Sequence, residues 1–221
     1  IDYFVEHNEP LLEIPTAPPD AVALQIARHV TRLIENGSTI QVGIGRVPNA
    51  ILYGLMEKKD LGVHTEMFTD GMVDLFEAGV ITGRKKTLWP NKLVGAFALG
   101  TQKLYDFLHN NVAVEFQQGK VTNDPYVIAR NTQMVSINTA VEVDVLGQVC
   151  SQSIGSRHFS GTGGQLDTHR GAQMSPGGRG IVALRSTAKG GTVSTIVPQL
   201  LAEIDGVDEV TISSGAEVPA R

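Results

Sequence analysis

Cysteine is nearly absent from this chain, since Cys150 is the only one among 221 residues. A single cysteine cannot form a disulfide within the chain, and it cannot build a cysteine-based metal cluster. Such a composition is typical of a reducing compartment, so a cytoplasmic location is expected. No histidine stands near Cys150 in the sequence to activate its thiol, which favours a small strand residue over a nucleophile.

Long apolar runs and basic clusters are also missing. No run of about 18 apolar residues is present, so no membrane-spanning segment is expected. Lysine and arginine total 18 against 23 acidic residues, a net charge of −5, and the basic residues are scattered. A nucleic-acid partner is therefore not expected. The 6 histidines have no zinc-ligand spacing and no Asp-rich loop suggests calcium, so no metal site is predicted.

The composition that remains is ordinary for a globular protein, with 42% hydrophobic and 19% charged residues. A chain of this length can bury one good core or two small ones. It opens on Ile1 with residues that do not have the pattern of a signal peptide and then passes through four prolines before Asp20. We therefore expect residues 1–19 to be the remnant of an interdomain linker in a longer protein, and residues 20–200 to form the main domain. Residues 201–221 are too weakly patterned to assign.

Hydrophobic periodicity predicts an α/β fold, an open and mostly parallel sheet with helices on both faces. The predicted helices are 20–36, capped by Asp20 and ended by Gly37, then 49–58, 70–77, 102–109 and a short one opened by Asn123-Asp124-Pro125. The predicted strands are 39–44, 63–68, 93–99, 134–138, 141–146, 148–153, 181–184 and 192–197. Short strands on either side of Gly147 predict an antiparallel hairpin added to the parallel sheet.

Two segments at predicted strand ends carry the chemistry. Glu66, in Val63-His64-Thr65-Glu66-Met67-Phe68, is a carboxylate among apolar and hydroxyl neighbours, and this makes it a candidate nucleophile. The stretch Gln41-Val42-Gly43-Ile44-Gly45 leads from a strand through a glycine turn into a helix that begins near Pro48. Such a turn offers free backbone N–H groups to an anion. Together they suit covalent carboxylate catalysis on an anionic substrate or cofactor.

Each of these features has a plainer structural interpretation. The glycine turn is compatible with a tight strand-to-helix connection alone, and it lacks the third glycine of a dinucleotide fingerprint because Pro48 stands there. Glu66 is compatible with a surface glutamate. Glu142 is a rival carboxylate, although its alternation with valines indicates the solvated face of a strand. Asn123 is most simply a helix cap or turn residue.

Five ordered segments resemble the acetyl-CoA hydrolase/transferase family, and most of all its 4-hydroxybutyrate and butyrate:acetate CoA-transferase branch. The resemblance runs from about Ile1 to Leu200 and rests on the following segments: Gln41-Val42-Gly43-Ile44-Gly45-Arg46-Val47-Pro48-Asn49-Ala50, Leu61-Gly62-Val63-His64-Thr65-Glu66-Met67-Phe68-Thr69-Asp70-Gly71, Thr122-Asn123-Asp124-Pro125, Ser136-Ile137-Asn138-Thr139-Ala140-Val141-Glu142-Val143-Asp144 and Ser160-Gly161-Thr162-Gly163-Gly164-Gln165-Leu166-Asp167. It implies the C-terminal domain of a CoA-transferase-like fold of the NagB/RpiA type.

The resemblance also implies site roles. Glu66 falls on the catalytic glutamate of the H-[ST]-E-M segment, and Asn123 falls on an active-site asparagine. Residues Gln41, Val42, Gly43, Ile44 and Gly45 fall in a CoA-contacting turn whose N–H at Ile44 stabilises the oxyanion. Ser160 and Gly164 fall in a second CoA-contacting loop. Glu142 falls in a structural strand motif, which argues against it as the nucleophile.

The implied reaction is transfer of CoA between an acyl-CoA and a short-chain carboxylate through a glutamyl-CoA thioester. Coenzyme A enters as substrate, and no permanently bound cofactor is expected. The implied partners are acyl-CoA, a carboxylate, a missing N-terminal domain and further copies of the chain. One segment of the family, V-T-E-[YQ]-G, is not found here, and 207–215 stands in its place. Two alternatives stay open: a thioester hydrolase, and a noncatalytic CoA-binding or assembly fragment.

Overall fold

The largest unit of the fold is a six-stranded parallel sheet. The computed structural model describes residues 2–15, 17–155, 157–158 and 160–200. Its helices are α1 Ala21–Arg32, α2 Arg46–Gly54, α3 Asp70–Glu77, α4 Gln102–Leu108, α5 Gly119–Thr122, α6 Pro125–Ile128 and α7 Gln165–Met174, with a 3₁₀ turn at Lys189–Gly191. Its strands are β1 Thr39–Val42, β2 Gly62–His64, β3 Met67–Phe68, β4 Leu93–Gly95, β5 Phe97–Ala98, β6 Val114–Phe116, β7 Met134–Asn138, β8 Glu142–Asp144, β9 Val149–Cys150, β10 Ser153–Ile154, β11 Arg157–His158, β12 Arg179–Val182, β13 Thr187–Ala188, β14 Val193–Ser194 and β15 Ile196–Val197.

The strand order of the main sheet is β12–β7–β1–β2–β4–β6, and every pairing in it is parallel. The chain builds outward from β1 to β6 on one side and then returns to add β7 and β12 on the other. The order therefore reverses beside β1, and ligands of open α/β sheets bind at the carboxyl ends of strands at such a point. The β1–α2 turn and the end of β7 lie at this reversal.

Helix α1 illustrates how local sequence produces these elements. The Asp20 carboxylate accepts a hydrogen bond from the Ala23 N–H at 3.0 Å and so caps the first turn. Ala23, Ala27 and Val30 recur at helical spacing and are buried in the core. The helix ends before Gly37, whose φ of +84° suits a glycine. The predicted cap at Asp20 is confirmed, but the predicted end was wrong, because the helix stops at Arg32 instead of running on to residue 36.

Most predicted elements are present, but several boundaries were wrong. The predicted strands 63–68 and 93–99 are each broken in two, into β2 and β3 and into β4 and β5. Helix 49–58 begins earlier, at Arg46, and ends earlier, at Gly54. The antiparallel hairpin at Gly147 is present as β8 and β9, but it lies in a separate sheet with β15 rather than in the parallel sheet. Helix α7, which begins directly after Gly164, was not predicted.

The largest apolar cluster among the described residues fills the space between the main sheet and helices α1 to α4, while α6 and α7 contribute Ile128 and Ala172 to a smaller cluster with Met134. The largest cluster contains Ile40, Val42, Ile51, Val63, Phe68, Leu75, Leu93, Ile137 and Ile181, each with at most 2% of its surface exposed. Strands from both sides of β1 contribute to it, so the sheet is stabilised as one unit. No helix among the described residues is long and apolar enough to cross a membrane.

Candidate active site

Glu66 lies in the bend that separates β2 from β3. Its backbone carbonyl accepts hydrogen bonds from the N–H groups of Ala96 and Phe97, at 2.9 and 3.0 Å, in the corresponding break between β4 and β5. The two breaks therefore hold each other in place. The side chain of Glu66 is half-buried, so its carboxylate is fixed at the carboxyl edge of the sheet and is still open to a ligand.

Glu66, Asn123 and Gly164 meet at one point, although they are far apart in the sequence. A methyl group built on Gly164 would lie 2.6 Å from Asn123 Nδ2, and it would lie closer still to Glu66 Oε2. Only a residue without Cβ leaves room for both side chains here. The structure thus brings together a carboxylate, an amide donor and a glycine that the sequence had proposed separately.

Asn123 is held by short-range structure on both sides. It ends the single turn of α5 with its N–H donating to the Gly119 carbonyl at 2.9 Å, and the next residue, Asp124, caps α6 through the Tyr126 N–H at 2.8 Å. The Asn123 Oδ1 is buried and has no hydrogen-bond partner among the described residues. A buried amide oxygen without a partner is costly, which marks it as a group available to a bound donor.

The turn from Gly43 to Gly45 follows β1 at the reversal of the sheet. Gly45 has a φ of +118°, a conformation that L-residues rarely adopt, and helix α2 begins directly after it. Ile44 is 57% exposed, and its N–H has no acceptor within the part of the chain that the structure describes. A free N–H is what an oxyanion donor requires.

Gln41 and Val42 lie beneath this turn rather than on its surface. Val42 is in the core, and Gln41 is 5% exposed. The Gln41 side chain exchanges hydrogen bonds with the Asn138 amide at 3.1 and 3.0 Å and accepts from Ser136 Oγ at 2.7 Å. Asn138 Oδ1 would lie 2.9 Å from a Cβ on Gly43. Because the side chains of Gln41 and Val42 are buried, only their backbone atoms are placed to contact a ligand. The Gln41 side chain supports the turn from below.

The network under the turn continues into helix α7. Ser136 Oγ also contacts Thr168 Oγ1 and His169 Nδ1, each at 3.0 Å. Burial lowers the pKa of His169 to about 4, so its ring is neutral at neutral pH. The Thr168 N–H donates to the Gly164 carbonyl at 3.0 Å. The glycine turn after β1 and Gly164 are therefore joined through buried polar groups.

His64 is a second buried histidine, which from the sequence was considered only as a possible zinc ligand. It is the last residue of β2, is 1% exposed, and stacks on Trp89 with ring centroids 6.0 Å apart. Its Nε2 lies 3.0 Å from the Thr122 carbonyl and its Nδ1 lies 3.3 Å from Asn131 Nδ2. A buried polar residue within an apolar strand was the available signal for it.

Lys86 packs beside this histidine and is 4% exposed. Its ammonium donates to the carbonyls of Val63 and Lys92, each at 2.8 Å. Burial lowers the pKa of Lys86 to about 7. Burial lowers the pKa of His64 to about 4; the Thr122 hydrogen bond opposes this in part, and the charge of Lys86 adds a smaller lowering effect.

The remaining candidates are Ser160 and Glu142. Ser160 is half-buried, and its hydroxyl donates to the Gly161 carbonyl at 3.1 Å. Glu142 begins β8 and pairs with Cys150, which is buried, in the small separate sheet. Among the described residues, no group of three or more His, Cys, Asp and Glu side chains is placed to hold a metal ion.

Comparison with known proteins gives one consistent family. The acetyl-CoA hydrolase/transferase C-terminal domain matches residues 100–212. The chain is 50% identical over 200 residues to a 4-hydroxybutyrate coenzyme A transferase of Clostridium kluyveri, covering 90% of this chain and 47% of that protein. It is 44% identical over 200 residues to a succinyl-CoA:cyclohexane-1-carboxylate CoA transferase of Geobacter metallireducens, covering 90% and 46%. The chain thus spans about half the length of the curated relatives it matches.

A solved structure agrees with this assignment. A 4-hydroxybutyrate CoA-transferase from Porphyromonas gingivalis superimposes with a TM-score of 0.82 at 43% identity, over 93% of this chain and 49% of that one. An acetyl-CoA hydrolase of Kluyveromyces lactis is more distant, at 34% identity over 83% of this chain and 36% of that protein.

Proposed function

Because this chain belongs to the acetyl-CoA hydrolase/transferase family, we propose that the protein containing it transfers CoA between an acyl-CoA and a short-chain carboxylate. Residues 20–200 are proposed as its C-terminal catalytic domain, and residues 1–19 as the link to an N-terminal domain. One relative is named for both partners of such an exchange, the acyl-CoA donor succinyl-CoA and the acceptor cyclohexane-1-carboxylate. The proposed tail, 201–221, lies outside the described residues.

The observation that carries the proposal is the meeting of Glu66 and Asn123 at Gly164. A carboxylate at the open edge of the sheet has the position of a nucleophile, and an amide beside it orients the carboxylate or the group that it attacks. The free N–H of Ile44 follows the neighbouring strand of the same sheet, where we propose that it stabilises the oxyanion. Gly43, Gly45 and Ser160 are proposed to line the CoA path.

The proposed reaction begins with attack of the Glu66 carboxylate on the thioester carbonyl of the acyl-CoA. The C–S bond breaks, which gives an acyl-glutamyl anhydride and the CoA thiolate. The thiolate then attacks the glutamyl carbonyl, releases the donor carboxylate and forms a glutamyl-CoA thioester. An acceptor carboxylate attacks this thioester and expels the thiolate again. The thiolate finally attacks the acyl carbonyl of the new anhydride, which frees the product acyl-CoA and regenerates Glu66.

The decisive experiment traps the covalent intermediate. Full-length protein given acyl-CoA without an acceptor is expected to accumulate CoA on the peptide that contains Glu66, and borohydride reduction followed by mass spectrometry locates it. Glu66→Ala should abolish both adduct and transfer, whereas Glu142→Ala should retain the adduct. An adduct mapped to Glu142 or Cys150, or normal turnover in Glu66→Ala, would contradict the assignment.

The acceptor dependence separates the alternatives. For a transferase, loss of acyl-CoA requires added carboxylate and yields a new acyl-CoA. Loss of acyl-CoA at the same rate without carboxylate would instead indicate a hydrolase, in which water resolves the same intermediate. Failure of the full-length protein to bind acyl-CoA would favour the noncatalytic fragment.

A further inference from the structure

His64 connects the two segments that carry the proposed catalytic side chains. It ends β2 two residues before Glu66, and its ring reaches across to the carbonyl of Thr122, the residue that precedes Asn123, at 3.0 Å. A carbonyl only accepts hydrogen bonds, so Nε2 carries the proton in this contact. The other nitrogen, Nδ1, is then the acceptor for the Asn131 amide at 3.3 Å. Both ring nitrogens are occupied by protein groups.

The segment that holds Asn123 needs such an anchor. Helices α5 and α6 have four residues each, and helices this short have almost no stability of their own because nucleation is unfavourable. Their position depends on tertiary contacts. Thr122 is 1% exposed and Asn131 is fully buried, so the His64 ring binds the buried ends of this segment while Asn123 faces the site.

A role for His64 in proton transfer is not supported by its surroundings. The ring is buried, it is stacked against Trp89, and it has no nitrogen left for a ligand. Its low pKa, together with the neighbouring Lys86 ammonium, keeps it neutral at the pH at which such an enzyme would work. A neutral ring with a fixed tautomer is suited to setting distance, not to exchanging protons.

We propose that His64 is a positioning residue that fixes Asn123 against Glu66 through the hydrogen bond from its Nε2 to the Thr122 carbonyl. The proposal rests on the proposed function, because it concerns the rate at which Glu66 reacts. Loss of the hydrogen bond frees the Asn123 segment to shift, and a displacement on the order of 1 Å at a reacting group costs about a hundred-fold in rate. The contacts that bind the rest of the acyl-CoA, away from Glu66 and Asn123, should be unchanged.

The test compares His64→Gln with His64→Asn in the full-length protein. The amide of glutamine reaches the position of Nε2 and can donate to the Thr122 carbonyl, whereas the amide of asparagine reaches only the position of Nδ1. We expect His64→Gln to retain kcat within about ten-fold and His64→Asn to lose on the order of a hundred-fold. The KM for acyl-CoA should stay within about two-fold in both, because the change acts on the chemical step.

A stability control separates positioning from general loosening. Val30→Ala truncates a core side chain of α1 and is expected to lower the melting temperature while leaving kcat unchanged. Equal kcat values for the two His64 variants, or a kcat loss in Val30→Ala that matches that of His64→Asn at equal melting temperature, would overturn the proposal. The adduct on Glu66 is measured in the wild-type protein before any variant is compared. Its absence would contradict the proposed function itself, independently of the role of His64.

Discussion

Gly164 is the residue on which the proposed site depends most directly, because Glu66 and Asn123 both approach the place of its missing Cβ. We expect Gly164→Ala to displace the ends of these two side chains at little cost in folding, since the atoms nearest to the added Cβ belong to side chains and neither residue is in the apolar core. CoA transfer should fall by on the order of a hundred-fold. The measurement is kcat with acyl-CoA and acetate, together with the melting temperature.

Gly161→Ala is the matched control for this substitution. Gly161 lies in the same loop, and a Cβ built on it meets no atom within 4 Å. The control should retain activity. A Gly164→Ala variant as active as Gly161→Ala would show that the close approach of Glu66 and Asn123 is not needed for the reaction.

Lys86 gives the protein a pH-dependent stability at the residue scale. Its pKa is about 7 in the folded state against 10.5 for an ordinary lysine, because burial disfavours the ammonium. Between these values the unfolded chain binds more protons, so Lys86 should make the free energy of unfolding rise with pH from about 7 to 10.5. Urea unfolding at a series of pH values measures this slope.

Lys86→Met should remove most of this slope, whatever it does to the absolute stability. Lys59→Met, at an exposed position, is the control and should keep the slope of the wild type. A slope that is unchanged in Lys86→Met would mean that other groups produce it.

At the scale of elements, the break in two parallel strands defines the site. The periodicity of 63–68 and 93–99 predicts two unbroken strands, yet Glu66 occupies a bend whose carbonyl is held by Ala96 and Phe97. Each segment alone is apolar enough to continue as a strand. The hydrogen bonds between the two breaks hold Glu66 in the bend at the carboxyl edge of the sheet. These bonds join residues about 30 positions apart, so the local sequence pattern does not predict them.

The turn between β1 and α2 makes a second prediction at this scale. Gly45→Val should force the turn away from its φ of +118°, moving the Ile44 N–H, and loss of one oxyanion donor costs about a hundred- to a thousand-fold in rate. The acylation rate of Glu66 measures this. Gly79→Val is the control, because Gly79 also has positive φ, at +73°, with open space around it after α3. It should lose stability but keep its rate, and equal rates in the two variants would make the β1–α2 turn merely structural.

For the whole molecule, we predict that this chain folds alone but turns over acyl-CoA poorly. Its main sheet shares a large apolar core with helices α1 to α4, which is enough for a cooperative unit of this size. The chain covers about half of the transferases it matches, and we propose that the N-terminal half completes the site, which then lies between two domains. Thermal unfolding should show one transition, and adding the N-terminal half should raise the turnover. Full turnover by the isolated chain would contradict the two-domain site.

The sequence by itself determined the α/β class, most helices and the candidates for the site. The start of helix α1 was predictable because its Asp20 cap and its apolar periodicity are local, whereas its end at Arg32 was not. Glu66, Asn123 and the Gly43–Gly45 turn stood out because their ordered segments resemble one family. These signals depend on residues that are close in the chain, where spacing alone carries the information.

Only the tertiary structure decided which candidates meet, because their contacts join residues distant in the chain. It placed Gly164 against Glu66 and Asn123, buried the Gln41 side chain beneath the turn, and gave His64 two partners from beyond residue 120. Helix α7 was not predicted because the glycines before and after it indicate loops. Its packing against β7 and β12 stabilises it, and this packing cannot be read from its own sequence. Long-range packing, not local preference, brings the proposed nucleophile, amide and glycine together.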